Sequence, residues 1–302
     1  MGNTKSEETP PVMATERYML KGAAMMLSAA LLFAVLGFFI KILGPGYRVW
    51  DIAGYRFIGG VLVLIAITRQ RMQLFKPPNP RLILIRGLTG SVTFLLLVFA
   101  IRVLPLSTAT VLFYSFPAFA ALLSPLLFGE RITVIEVGCV FVAIGGVAVI
   151  LDFNLEGALF GQIIAVVAAV FAGLTIAIIK QLRKTHNSIT IYFYFCLIGA
   201  IISIGPFLAA PRIPSGGIEW LIIGGITLTS ITAQLLMTTG FRYCNSWEGG
   251  LYMTSEVIFI SMIGIIVLNE TPDTRFFIGS VLILISAISF SIFKRPIPQS
   301  NK

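Results

Sequence analysis

Ten apolar runs, near residues 19–42, 49–68, 82–101, 107–128, 132–151, 157–179, 189–208, 219–240, 247–268 and 275–293, constrain this chain more than any other feature. A helix needs about 20 apolar residues to cross a hydrocarbon core of about 30 Å, and every backbone polar group must be satisfied inside it. The breaks between runs carry turn formers or charge: Gly44-Pro45-Gly46, Lys76 through Pro80, Pro105, Gly129-Glu130-Arg131, Asp152-Phe153-Asn154 and Pro211 through Gly217. Hydrophobic residues make up 57% of the 302 and charged residues only 12%, too few to clothe a soluble core of this size. The expected class is an all-α integral membrane protein with ten transmembrane helices.

The runs repeat. The stretch from Ala100 to Arg131 returns in degraded form from Gly240 to Thr271, with Arg102 on Arg242, Ser115 on Ser255 and Glu130 on Glu270. Upstream, Gly22 falls on Gly161, Ala29 and Ala30 on Ala168 and Ala169, Lys41 on Lys180, Tyr55 on Tyr194 and Gly60 on Gly199. Polar positions that keep register carry the repeat, because apolar matches are cheap in such a chain. The expected domains are a tail over 1–18, one repeat over 19–152, a second over 156–293 and a tail over 294–302. Five helices per repeat is an odd number, so the second half starts from the opposite face and runs upside down. Inverted repeats around a midplane site are a recurrent architecture of secondary transporters.

Charge sets the orientation. Lys5, Arg17, Lys21, Arg69, Arg71, Lys76 and Arg81 share one side with Arg131, Lys180, Arg183, Lys184, Arg242, Lys294, Arg295 and Lys302; Arg48, Arg102, Arg212 and Arg275 fall on the other. The positive-inside bias puts both termini in the cytoplasm. The same bias explains the net charge of +9 without nucleic acid as a partner. Cys139, Cys196, Cys244 and the single His186 have neither disulfide-framework nor metal-site spacing, and no phosphate-binding Gly-Lys-Ser/Thr loop exists. Neither metal nor cofactor is expected, and ATP is not a direct driver.

Lys41 at the end of the first span, Gly54-Tyr55-Arg56-Phe57 in the second, Arg86-Gly87 opening the third and Ala100 to Glu130 with Pro117 inside it resemble the drug/metabolite transporter superfamily, specifically its EamA-type ten-span permeases. The resemblance covers nearly the whole chain. It implies a cell (inner) membrane protein that moves small organic metabolites, often outward, driven by an ion gradient or by exchange. A proton as coupling ion and a homodimer are left open. The second half departs from the first, with Val257 where Pro117 would repeat and Phe195 where Arg56 would. From the residues alone, an integral-membrane enzyme on lipid-linked substrates or a non-transporting scaffold are the rival classes.

Five residues are candidates for substrate binding: Tyr114, Ser115, Gln234, Tyr252 and Glu256. Glu256 lies mid-run, where a carboxylate costs about 3 kcal/mol by insertion scales. It is therefore either a coupling group facing a cavity or a paired structural carboxyl. Thr227, Ser230, Gln234 and Thr238 recur at steps of three and four, one helical face that lines a path or bonds helix to helix. Tyr114 and Ser115 precede Pro117, whose missing N–H frees the carbonyl of Phe113 and bends the helix. Tyr252 holds the corresponding region of the ninth run. Lys41 reads as a snorkelling anchor, and the resemblance implies a structural role for Arg56, with direct substrate contact as the alternative.

Overall fold

The computed structural model describes residues 12–68, 80–128, 133–150, 158–182, 185–240, 243 and 246–293. Among them the regular structure is entirely helical: α1 (Val12–Ile42), α2 (Val49–Thr68), α3 (Pro80–Val103), α4 (Leu106–Phe113), α5 (Phe116–Phe128), α6 (Val134–Ile150), α7 (Ala158–Leu182), α8 (Ser188–Ala209), α9 (Gly217–Gly240), α10 (Ser246–Ile266) and α11 (Thr274–Phe293). Six of these, α1, α2, α3, α7, α8 and α9, contain stretches long and apolar enough to cross a membrane. Four shorter apolar stretches, Leu106–Ala120, Val137–Ile150, Tyr252–Ile266 and Thr274–Ser289, complete the set.

Helix ends follow the breakers. Gly44 closes α1 with a φ of +80°, a conformation that glycine adopts without a Cβ clash. Pro105 stands before α4 with extended backbone. The fourth apolar run, expected as one helix over 107–128, is instead two: the chain turns at Tyr114-Ser115 between α4 and α5. The cause is Pro117, which has no N–H to donate to Phe113 and whose ring crowds that carbonyl. Ser115 N–H bonds back to the carbonyl of Leu112 at 3.2 Å, tightening the last turn of α4.

Large apolar side chains pave the outside. Leu62, Leu126, Val134, Phe141, Leu208, Ile218, Leu221 and Ile266 are all more than 60% exposed, a surface suited to hydrocarbon and not to water. Inside, small residues bring helices close, and Ala29, Ala30, Ala168 and Ala169 are completely buried.

Contacts between elements obey an exchange relation. α1 packs on α9 and α10 while α7 packs on α3 and on α4–α5; α2 packs on α8, and α6 on α11. Exchanging α1 with α7, α2 with α8, α3 with α9, α4–α5 with α10 and α6 with α11 turns this set into itself. Individual glycines obey the same exchange. A Cβ on Gly60 would meet Cys196, and one on Gly199 would meet Phe57; one on Gly22 would meet Tyr243, and one on Gly161 would meet Val103.

Candidate functional site

Three polar clusters interrupt this apolar packing. The first sits where α10 faces the break between α4 and α5. Tyr114, the C-cap of α4, donates its hydroxyl to Glu256 Oε2 at 2.7 Å and lies 2.8 Å from the carbonyl of Met253. Its ring is buried, so one bond spans two packed helices at a place where the backbone is already irregular. No ion pair reaches Glu256 among the described residues. Ser115 and Ser255 each return their hydroxyl to the carbonyl three residues earlier, Leu112 at 2.7 Å and Tyr252 at 2.6 Å. Such back-bonding competes with the helix ladder and favours bending.

The second cluster is a junction. Lys41, the last basic residue of α1, donates Nζ to the carbonyl of Ile101 at 3.0 Å and to that of Leu104. Those carbonyls end α3, where no amide of the same helix can reach them. Immediately afterwards Glu270 accepts the amides of Leu106 and Ser107, the latter at 3.1 Å, and the Ser107 hydroxyl at 2.6 Å. Its carboxylate thus caps the start of α4, where the helix dipole favours negative charge. Asn269, with φ of 53°, turns the chain to deliver it; asparagine tolerates this left-handed conformation. Gly264 leaves the space that the carboxylate occupies.

The third cluster lies between α2, α3, α8 and α9. Arg56 and Arg86 are 4% and 3% exposed. Arg56 Nε donates to Ser230 Oγ at 2.5 Å, and Ser230 is 3.4 Å from the Tyr192 hydroxyl. Aromatic rings supply much of the remaining surroundings: the Arg56 guanidinium lies 3.8 Å from the Phe94 centroid and 5.2 Å from that of Phe195, and Arg86 lies 4.8 Å from Phe195.

At one end of the bundle the connection between α1 and α2 is bonded to the region that joins α8 to α9. Arg48 pairs with Asp51 at 2.9 Å and donates to the carbonyls of Pro206 and Ala210. Tyr55 donates to the Arg212 carbonyl at 2.9 Å and Tyr47 to Glu219 at 2.7 Å. Burial first, and the Glu219 carboxylate second, push the Tyr47 hydroxyl up to about 12.

Of the residues expected to form one site, Tyr114 and Glu256 are brought into contact. Tyr252 lies one turn before Glu256 on α10 and packs on Met26, Ala29, Ala30 and Met253. Gln234 is half-buried on α9, and α9 and α10 each pack on α1. Ser115 faces a different space, a cavity of about 220 Å³ lined otherwise by Ala118, Phe119, Ala143, Ile144, Val147 and Val166. Of the stripe on α9, Ser230 holds Arg56, and Thr227 packs on Gly59 of α2. Glu130, Arg242 and the side chain of Lys180 lie outside the described residues. Sequence reasoning did not single out Glu270 as a cap or Arg86 as a buried charge. Register with Glu130 flagged the first, and an arginine six residues into α3 was the available signal for the second.

The EamA-like transporter family matches residues 20–152 and 159–292. The chain is 24% identical to a pseudopaline exporter of Pseudomonas aeruginosa over 91% of this chain and 97% of the relative. It is 24% identical to solute carrier family 35 member G1 of Homo sapiens, over 90% of this chain and 79% of that protein. An S-adenosylmethionine uptake transporter of Rickettsia bellii is 24% identical over 87% of this chain and 90% of its own length. One solved crystal structure superposes with a TM-score of 0.67 at 19% identity, covering 91% of this chain and 99% of that one. At that identity the likeness concerns the fold.

Proposed function

Because the chain belongs to the EamA-like transporter family, we propose that this multi-pass membrane transporter is a secondary active carrier of small organic metabolites, an exporter or exchanger. It works by alternating access between two inverted repeats of five spans each, in the cell membrane, with both termini in the cytoplasm. The enzyme and scaffold classes open at the sequence level are set aside, because the family and the named relatives are transporters. The exchange relation among helix contacts supports the inverted arrangement, since a five-span unit that recurs must recur upside down. In this reading the fourth span comprises α4 and α5.

The observation that carries the mechanism is the Tyr114–Glu256 hydrogen bond. It joins the broken fourth span of one half to the ninth span of the other, so relative motion of the halves changes the environment of Glu256. A carboxylate held by one phenol and no cation gains or loses its proton as that environment opens and closes. Glu256 is the coupling group, and Tyr114, Gln234 and Tyr252 line the substrate path beside it, while Ser115 faces the separate apolar cavity. The relatives' names point outward in one case and inward in another, and the exporter or exchanger reading takes the outward one. Arg48, Tyr47 and Tyr55 hold the outer end closed, and these bonds break when the path opens outward.

The test is flux in proteoliposomes, with solutes first selected by thermal shift of the purified protein. Glu256→Gln keeps the shape and the acceptor for Tyr114 but cannot titrate. Accumulation driven by a pH gradient should vanish while solute exchange persists. A Glu256→Gln protein that still accumulates solute on a pH gradient removes the coupling role.

A further inference from the structure

We infer that Arg56 and Arg86 form an anion subsite that takes the carboxylate of the transported solute. This rests on the transporter reading above and narrows its substrate class to metabolites bearing a carboxylate.

Both guanidiniums are withdrawn from solvent, and arginine does not shed its proton in proteins. Arg56 Nη1, Arg86 Nε and Arg86 Nη1 are buried and have no hydrogen-bond partner. The ion pair of Arg48 with Asp51 involves neither arginine, and no carboxylate among the described residues is paired with Arg56 or Arg86. Ring faces of Phe57, Phe94 and Phe195 surround Arg56, and Phe195 is shared with Arg86. Ring faces offset part of the cost of burying a guanidinium, but they leave its in-plane N–H groups unfilled. Two cations packed around one ring, with three buried polar atoms idle, lack an anion. A carboxylate is the fitting one, because it accepts two parallel N–H bonds from a guanidinium fork.

The location suits a solute. Arg56 and Arg86 come from α2 and α3 of the first half, while Phe195, Tyr192 and Ser230 come from α8 and α9 of the second. Phe195 is also the repeat equivalent of Arg56, so the cluster sits where the halves meet, the place at which inverted-repeat carriers hold their substrate. Ser230 belongs to the polar stripe of α9 and lies one turn from Gln234. Gly90 makes the seat for Arg86: a Cβ there would collide with Arg86 Nη1 and crowd the Phe195 ring. The cluster is closed in this structure, and separation of α2–α3 from α8–α9 admits the anion.

The experiment measures melting of the full-length protein in detergent, first in a Tris-MES buffer free of small anions. Chloride, acetate, succinate and the neutral acetamide are then added separately at equal ionic strength. Acetate and succinate should raise the melting temperature by a few degrees and acetamide should not. Chloride should do less than acetate. Arg86→Met removes the two buried nitrogens that have no partner, Nε and Nη1, so it should melt at or above wild type without anions and lose most of the carboxylate shift; Arg86→Lys should retain part of it. Equal shifts from acetate and acetamide, or from chloride and acetate, overturn the proposal. So does a wild-type protein indifferent to every anion, or an Arg86→Met protein that melts lower yet keeps the carboxylate shift. The readout needs no flux: transport of uncharged solutes with no carboxylate effect sinks this inference alone, whereas carboxylate binding without transport of any solute sinks the transporter reading alone.

Discussion

The Lys41–Glu270 junction and the Arg56–Arg86 cluster both hold charge inside apolar helix packing, but their polar atoms are treated in opposite ways. At the junction, two helix-terminal carbonyls accept from Lys41 and three donors converge on Glu270. In the cluster, three guanidinium nitrogens donate to nothing. Charges that complete helix ends are structural, because the backbone supplies their partners permanently. Charges left incomplete are positioned for something that comes and goes. The Tyr114–Glu256 pair stands between these cases, with one good bond and no counter-charge.

The contrast breaks most visibly at Glu270. Glu270→Ala strips the acceptor from two amides and a hydroxyl at the start of α4, and should cost about 3 kcal/mol or more, measured as thermal or denaturant unfolding in detergent. If Arg86→Met proves equally destabilising in buffer without small anions, the distinction between completed and incomplete charges is wrong. Lys41→Met comes next. It leaves the carbonyls of Ile101 and Leu104 short of donors at the end of α3, and about 2 kcal/mol should be lost by the same assay.

Tyr114→Phe removes a single bond, expected to lower stability by about 1 kcal/mol. Its larger consequence is functional. Glu256 loses its partner, so the pH dependence of solute uptake should shift relative to wild type, and an unchanged profile would place the bond outside the coupling step. Tyr47→Phe has the smallest effect. The Tyr47 hydroxyl is raised from 10.0 to about 12, so the folded state retains that proton more tightly than the unfolded chain. The resulting stability is complete below pH 10 and is lost as the pH rises toward 12; the variant should lack that portion of the alkaline loss. Near neutral pH, where that stability is complete, it should melt slightly below wild type, and the gap should close as the pH rises toward 12.

Much of the architecture was legible in the residues. Apolar runs set most helix positions because a bilayer leaves few alternatives to a hydrogen-bonded helix, and Pro117 marked the irregularity between α4 and α5 because a missing N–H is a property of the residue itself. Register between Lys41 and Lys180, Ser115 and Ser255, and Glu130 and Glu270 is the basis on which two halves are proposed. The residue identities also marked Glu256 and Arg56 as charges that needed an account, since charge is costly in hydrocarbon wherever it falls.

Which partner each charge meets was decided only by tertiary structure. Hydrogen bonds act over about 3 Å, and the chain separates Lys41 from Leu104 by 63 positions and Ser107 from Glu270 by 163. Lys41 read as an anchor toward the membrane surface, but packing turns it onto the end of α3. Glu270 had no assigned task until Asn269 and Gly264 placed it under α4. Tyr114 and Glu256 are in contact, whereas Ser115, one residue away, lines an apolar cavity. Periodicity fixes the face of a helix on which a side chain lies. The neighbour opposite that face depends on how the helices are arranged around one another, and that arrangement exists only once the chain has folded.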